Sequence, residues 1–156
     1  MAKVIKAPKP YSYDPYTKFV FLGGSIEMGV AENWQDKISK DLKDIENVVL
    51  LSPRRDDWDA SWIQDPTPGT QFYTQVDWEL NAQERADLII YYFDSNTKSP
   101  ITLLELGLFG QNNNTIVRCA PDFYRYGNVK MVCDRYSIPI VHTYSDLVKM
   151  MKEELE

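Results

Sequence analysis

Histidine occurs once in this chain of 156 residues, at His142, and cysteine twice, at Cys119 and Cys133. A single histidine leaves little material for a His-based zinc site or a Ser-His-Asp triad. Two cysteines exclude a disulfide scaffold, and their spacing matches no metal motif. No metal and no organic cofactor is expected. Long apolar runs are also missing: none approaches the ~20 residues that a membrane span needs, so no membrane is expected as a partner. The opening stretch MAKVIKAPKPYSYDPYT lacks the apolar core of a secretory signal, and the expectation is a cytoplasmic protein. Positive charge is in deficit, with 17 Lys and Arg against 23 Asp and Glu and a net charge of −6. That balance disfavours a nucleic-acid polymer, whose binding depends on phosphate neutralisation, but leaves room for a small anion in a local pocket. Aromatics are not scarce: at 13%, within 44% hydrophobic residues, they argue against disorder and for one globular domain.

Residues 1–17 hold prolines and tyrosines without helical or strand period, and an irregular N-terminal arm is expected there. An α/β domain follows over 18–156. Phe19-Val20-Phe21-Leu22 is a continuous apolar run ending in Gly23-Gly24, a buried strand leading into a tight turn. Over 30–46, Trp34, Ile38, Leu42 and Ile45 recur at helical spacing. Val48 to Leu51 reads as a second buried strand. Ser52 to Thr70, rich in Pro, Asp, Trp and Gly, is too long for an ordinary connection and marks a functional loop or lid. Phe72 to Arg85 is expected as a helix with Phe72, Val76, Leu80 and Gln83 on its buried face. A third strand runs from Asp87 to Phe93, a turn from Asp94 to Pro100, and a helix from Ile101 to Gln111. A strand at Thr115–Cys119, a helix over 123–135, a proline-bearing edge strand at 138–141 and a helix over 144–155 complete the pattern. Five strands alternating with helices specify a doubly wound, mostly parallel sheet, flavodoxin-like, with order 2-1-3-4-5 in a single domain. Ligands of such sheets bind beyond the carboxyl ends of the strands, where the strand order reverses.

That places the turn after strand one (Gly23 to Gly29), the long loop after strand two and the turn after strand three (Asp94 to Leu104) around one crevice, and three segments could carry chemistry. Gly23-Gly24-Ser25 lets a backbone approach a ligand closely, yet it is neither GxGxxG nor a Walker loop, which argues against dinucleotide binding and ATP hydrolysis. In Ser99-Pro100-Ile101-Thr102-Leu103-Leu104-Glu105-Leu106-Gly107, a carboxylate stands among leucines, which is unusual unless Glu105 faces the crevice. The start of its helix would help keep it ionised. In Gln75-Val76-Asp77-Trp78-Glu79-Leu80, Asp77 and Glu79 add further carboxylates. With Glu105 they can form the pair that divides labour between nucleophile and acid at a glycosidic bond.

These elements together resemble the nucleoside 2-deoxyribosyltransferase family. The resemblance rests on the Gly-Gly-Ser turn, the acidic helix running into Ala86-Asp87-Leu88-Ile89, and above all Glu105-Leu106-Gly107 in its strand–turn–helix setting. It implies a flavodoxin-like fold without cofactor, and transfer of 2-deoxyribose between nucleobases through a covalent glycosyl-enzyme. Glu105 matches the nucleophile. Glu79, eight residues before Asp87, is the spacing match for the acid on the base side. Asp77 is the alternative. Asp94 and Ser99 would contact substrate. The transferases carry an aspartate at the position of Ser99. A related group, the deoxynucleoside 5′-monophosphate N-glycosidases, carries a phosphate-binding serine there and a Gly-Ser-Ile turn matched by Gly24-Ser25-Ile26. That group follows the turn with an arginine, where this chain has Glu27, so transfer and hydrolysis both stay open, and the alternative of another class is a nucleotide-binding module with a catalytically inactive site. The implied partners are nucleosides or nucleotides and free nucleobases.

Trp58, Trp62 and Phe72, in or beside the long loop, offer a stacking wall for a flat base. Arg54 and Arg55 can contact a base carbonyl or a phosphate, or pair with Asp56 and Asp57. His142 and the two cysteines are read as structural. The resemblance also implies a homo-oligomer, a dimer at least, and the tyrosines Tyr11, Tyr13, Tyr16, Tyr124, Tyr126 and Tyr136 suit an interface.

Overall fold

The computed structural model describes residues 1–24, 33–55 and 63–156. Among them are strands β1 (Lys3–Lys6), β2 (Lys18–Gly24), β3 (Val48–Ser52), β4 (Leu88–Phe93), β5 (Thr115–Cys119) and β6 (Ile140–Val141). Helices α1 (Trp34–Asp41), α2 (Gln71–Arg85), α3 (Pro100–Phe109), α4 (Tyr126–Arg135) and α5 (Tyr144–Leu155) lie between and after them, with a 3-10 turn at Gly110–Asn112 closing α3. The strands form one sheet in the order β1-β3-β2-β4-β5-β6, and every pairing is parallel. Without β1 this is the expected 2-1-3-4-5 order. No helix among the described residues is long and apolar enough to cross a membrane.

The strands read as unbroken apolar runs because both faces are covered. On one face Phe19, Phe21, Ile89, Tyr91 and Phe93 pack against Trp78 and Ala82 of α2, Leu106 and Phe109 of α3, and Val129 and Cys133 of α4. On the other, Val20, Leu22, Ile90 and Tyr92 pack against Trp34 and Ile38 of α1 and Leu147 and Met151 of α5. Cys119 and Cys133 are free and buried, and burial pushes their thiols up to about 12 and about 11.

Four features depart from the sequence reading. The arm is not wholly irregular: Lys3–Lys6 adds a sixth strand beside β3, and Ala7 N–H donates to Ser52 O (2.9 Å). Four residues, lysine at both ends, carry too little pattern to read as a strand, and edge lysines suit a sheet margin. Beyond β1 the arm folds over its own domain. Tyr11 stacks on Phe19 (5.8 Å between centroids), Tyr13 lies 4.4 Å from the same ring, and Trp78 Nε1 donates to Lys9 O (2.9 Å).

Gly23 and Gly24 are the last residues of β2 rather than the turn after it, paired with Tyr91 and Tyr92. A Cβ on Gly24 would lie 2.7 Å from Tyr92 O, and one on Gly23 2.9 Å from the rings of Phe21 and Tyr91, so packing alone demands glycine at both. The helices expected over 30–46 and 123–135 are shorter. Leu42 caps α1 and stays buried with Ile45 in the turn that follows, while successive turns at Ala120 to Tyr126 delay α4. The buried residues of α2 are Gln75, Trp78, Ala82 and Gln83, whereas Phe72, Val76 and Leu80 are only half-buried.

Candidate active site

Strand order reverses between β2, which leads outward to β3, and β4, which leads the other way to β5. The carboxyl ends of β2 and β4 therefore border the crevice. Two helices supply its side chains. Thr70 caps α2, its Oγ1 accepting from Tyr73 N (3.1 Å), and starts the helix so that Gln75, Glu79 and Gln83 form one stripe at spacings of four. Ser99 caps α3 in the left-handed conformation (φ 49°), with Pro100 at the first helical position. The polarity of α3 is inverted relative to an ordinary surface helix. Thr102, Glu105, Leu106 and Phe109 face inward, and Ile101, Leu104 and Leu108 face out.

Glu105 is 7% exposed. Gln83 Nε2 donates to Glu105 Oε2 (2.5 Å) and to the backbone oxygen of Glu79 (3.1 Å). The Tyr91 hydroxyl, on β4, donates to Gln83 Oε1 (2.6 Å) and reaches Glu105 O at 3.2 Å. Burial pushes the Glu105 carboxyl up to about 7, and the Gln83 hydrogen bond opposes that rise. Desolvation thus outweighs the help expected from the helix start. Glu79 is partly buried on α2. Burial, and next the negative charge of Glu105, push its carboxyl up to about 8, with the Gln75 side chain opposing. Gln75 Nε2 donates to Pro53 O (3.0 Å), and its Oε1 has no hydrogen-bond partner among the described residues. Near neutral pH the contact between α2 and α3 therefore holds two carboxyl groups that resist ionising together, and the Gln83 hydrogen bond favours the charged form at Glu105.

The other sequence candidates fall into three groups. Asp77 is exposed, as its position two residues from Glu79, more than half a turn around the helix, requires. Ser99 is buried, with its Oγ 2.9 Å from Thr97 Oγ1. Asp94 lies at the end of β4. It accepts from Ser95 N (2.9 Å), and its carboxylate is 3.7 Å from Arg118 Nη1. Gly23 and Gly24 end β2, Phe72 is half-buried in the first turn of α2, and Arg54 and Arg55 are half-buried after β3. Ser25, Ile26, Glu27, Asp56, Asp57, Trp58 and Trp62 lie outside the described residues. His142 bonds Tyr126 OH through Nε2 (2.9 Å), away from the carboxylates. Neither Gln75 nor Tyr91 is a candidate on sequence grounds, and Gln83 enters there only as part of a packing face. The signal for the two glutamines was their spacing: buried amides four residues either side of a glutamate.

No curated protein matches the chain. A family model described as nucleoside 2-deoxyribosyltransferase like matches residues 17–123, from just before β2 to just before α4. The matched span contains the crevice, both carboxylates, Gln83 and Tyr91. With more than half of its length covered, the chain belongs to the nucleoside 2-deoxyribosyltransferase-like family.

Proposed function

We propose that the protein is a nucleoside 2-deoxyribosyltransferase that works through a covalent deoxyribosyl-Glu105 intermediate. The observation that carries this reading is the buried Glu105, held by the Gln83 hydrogen bond, beside a Glu79 whose carboxyl is pushed up by burial and by the charge of Glu105. An ionised Glu105 attacks C1′ as the bond from C1′ to the base nitrogen breaks. The bonding pair leaves with the base, which takes the Glu79 proton. An acceptor base then attacks C1′, the Glu105–C1′ pair returns to the carboxylate, and Glu79 takes the proton released by the acceptor. A 2-deoxy sugar suits this chemistry, since no electron-withdrawing 2′-hydroxyl opposes positive charge on the ring.

A second reading, hydrolysis of deoxynucleoside 5′-monophosphates, has its own observation. Ser99 and Thr97 bring two hydroxyls together at the start of α3, where the peptide dipoles favour an anion. Incubation with deoxythymidine, deoxyinosine and their monophosphates, with and without a free acceptor base, separates the readings. New nucleosides that appear only with acceptor support transfer. Free base released from monophosphates without acceptor supports hydrolysis. No turnover of any of them would sink both.

The reading includes a homo-oligomer, a dimer at least. Tyr11 and Tyr13 are half-buried against their own chain. Tyr16, Tyr124 and Tyr136 stay exposed, and the outer stripe of α3 exposes Ile101, Leu104 and Leu108 at 60%, 66% and 60%. An apolar outer stripe of this kind is normally covered by another surface. Sedimentation at micromolar concentration should show more than the 18.1 kDa of one chain, and a fully active monomer would refute the assembly.

A further inference from the structure

We propose that Gln83 is a positioning residue that holds Glu105 for attack, with Tyr91 fixing the orientation of the Gln83 amide. The inference rests on the reading of Glu105 as the nucleophile.

The hydrogen-bond inventory sets the orientation of the amide. On one side of Gln83 stand two acceptors, Glu105 Oε2 at 2.5 Å and Glu79 O at 3.1 Å. On the other stands the Tyr91 hydroxyl, at 2.6 Å. An amide nitrogen carries two hydrogens and its oxygen none, so the nitrogen belongs on the side of the two acceptors. The reversed amide would set its oxygen against a carboxylate oxygen and a carbonyl. The Tyr91 proton lies between Gln83 Oε1 and Glu105 O, both of which only accept. Every hydrogen in the chain is thereby assigned when Glu105 is ionised.

Three consequences bear on reaction. Among the described residues Glu105 takes its side-chain hydrogen bond through Oε2, which leaves Oε1 as the oxygen that meets C1′. A glutamine can stabilise the negative charge but cannot supply a proton, so among the described residues the proton for a departing base falls to Glu79. A neutral donor also leaves more nucleophilic charge on Glu105 than an arginine or lysine would. Gln83 reaches Glu105 from α2, so the helix that carries Glu79 also holds the carboxylate of α3.

Two variants test the proposal, Gln83→Met, which keeps most of the volume without the donor, and Tyr91→Phe, which removes one oxygen. The readouts are the Glu105 titration midpoint, followed by carbon NMR of glutamate-labelled protein with Glu105→Gln as the assignment control, and the pH profile of kcat beside KM. In Gln83→Met the Glu105 midpoint should move up by about one unit, because a hydrogen bond to the ionised form is lost. The acidic limb of the profile should move with it. At neutral pH kcat should fall about tenfold or more while KM stays within about twofold, as for a loss felt in the transition state. Tyr91→Phe should shift both in the same direction by less, and it carries the test if Gln83→Met does not fold. An unmoved midpoint and acidic limb in a folded variant would overturn the proposal and make Gln83 a packing residue. If the midpoint moves but the wild-type protein cleaves no nucleoside, the clamp on Glu105 stands and the proposed reaction falls.

Discussion

Glu105→Gln is expected to lower turnover by at least ~10³-fold while the protein keeps its fold, since the substitution removes the nucleophilic charge and little else. The amide has the size of the carboxyl it replaces, and its oxygen can still accept from Gln83 Nε2. The same change should make the protein more stable in alkaline solution. Burial raises the folded-state value of Glu105 from 4.5 to about 7. A raised value means that the folded chain binds the proton more tightly than the unfolded one. The associated stability is present below 4.5 and is lost as pH climbs to about 7. At pH 8 the wild type bears the whole cost of a buried charge, on the order of 3 kcal/mol at most, and Glu105→Gln bears none. Urea unfolding at pH 8 and pH 4 should show the variant ahead at the first and level at the second. A folded variant with near-wild-type turnover would reject the nucleophile. Equal stability at both pH values would show that Glu105 is not charged at a cost.

Burial of a polar group such as Glu105 separates the parts of the structure that are legible in the sequence from those that are not. Where burial and apolarity agree, the pattern reads directly. The runs at 19–22, 48–51, 88–93 and 115–119 are covered on both faces and became the four central strands. The helix carrying Glu105 was also legible, because a carboxylate among leucines breaks the expected polarity. The structure resolves that oddity by turning the glutamate in and leaving Ile101, Leu104 and Leu108 out. Where polar groups are buried, periodicity misleads. On α2 the apolar series Phe72, Val76, Leu80 drew the buried face away from the polar stripe of Gln75, Glu79 and Gln83 that meets α3. Tyr91 was hidden differently. In an apolar strand its ring fits the core, and nothing in the run shows that its hydroxyl has a partner on a helix. The β1 strand was hidden by brevity, and the glycines of β2 by a convention that reads paired glycines as turns.

Glu79→Ala should reduce turnover by about 10²–10⁴-fold, the range for loss of a general acid, and Asp77→Ala by less than about twofold. The two residues are near neighbours in sequence but not on the helix, where a separation of two puts them more than half a turn apart. Asp77 is exposed, whereas Glu79 is partly buried and feels the charge of Glu105. The wild-type rate should follow a bell. Its acidic limb, near 7, marks the ionisation of Glu105, and its alkaline limb, near 8, marks the proton leaving Glu79. These limbs belong to the interacting pair, and the optimum lies between them. Removing Glu79 should erase the alkaline limb and keep the acidic one. A deoxyriboside whose leaving group departs without a proton should recover most of the lost rate in Glu79→Ala, but none in Glu105→Gln, because only the first variant lacks a proton donor. If Asp77→Ala proves the more damaging change, the acid has been assigned to the wrong face of α2. If the activated substrate fails to rescue Glu79→Ala, Glu79 acts by holding α2 against α3 rather than by giving up its proton.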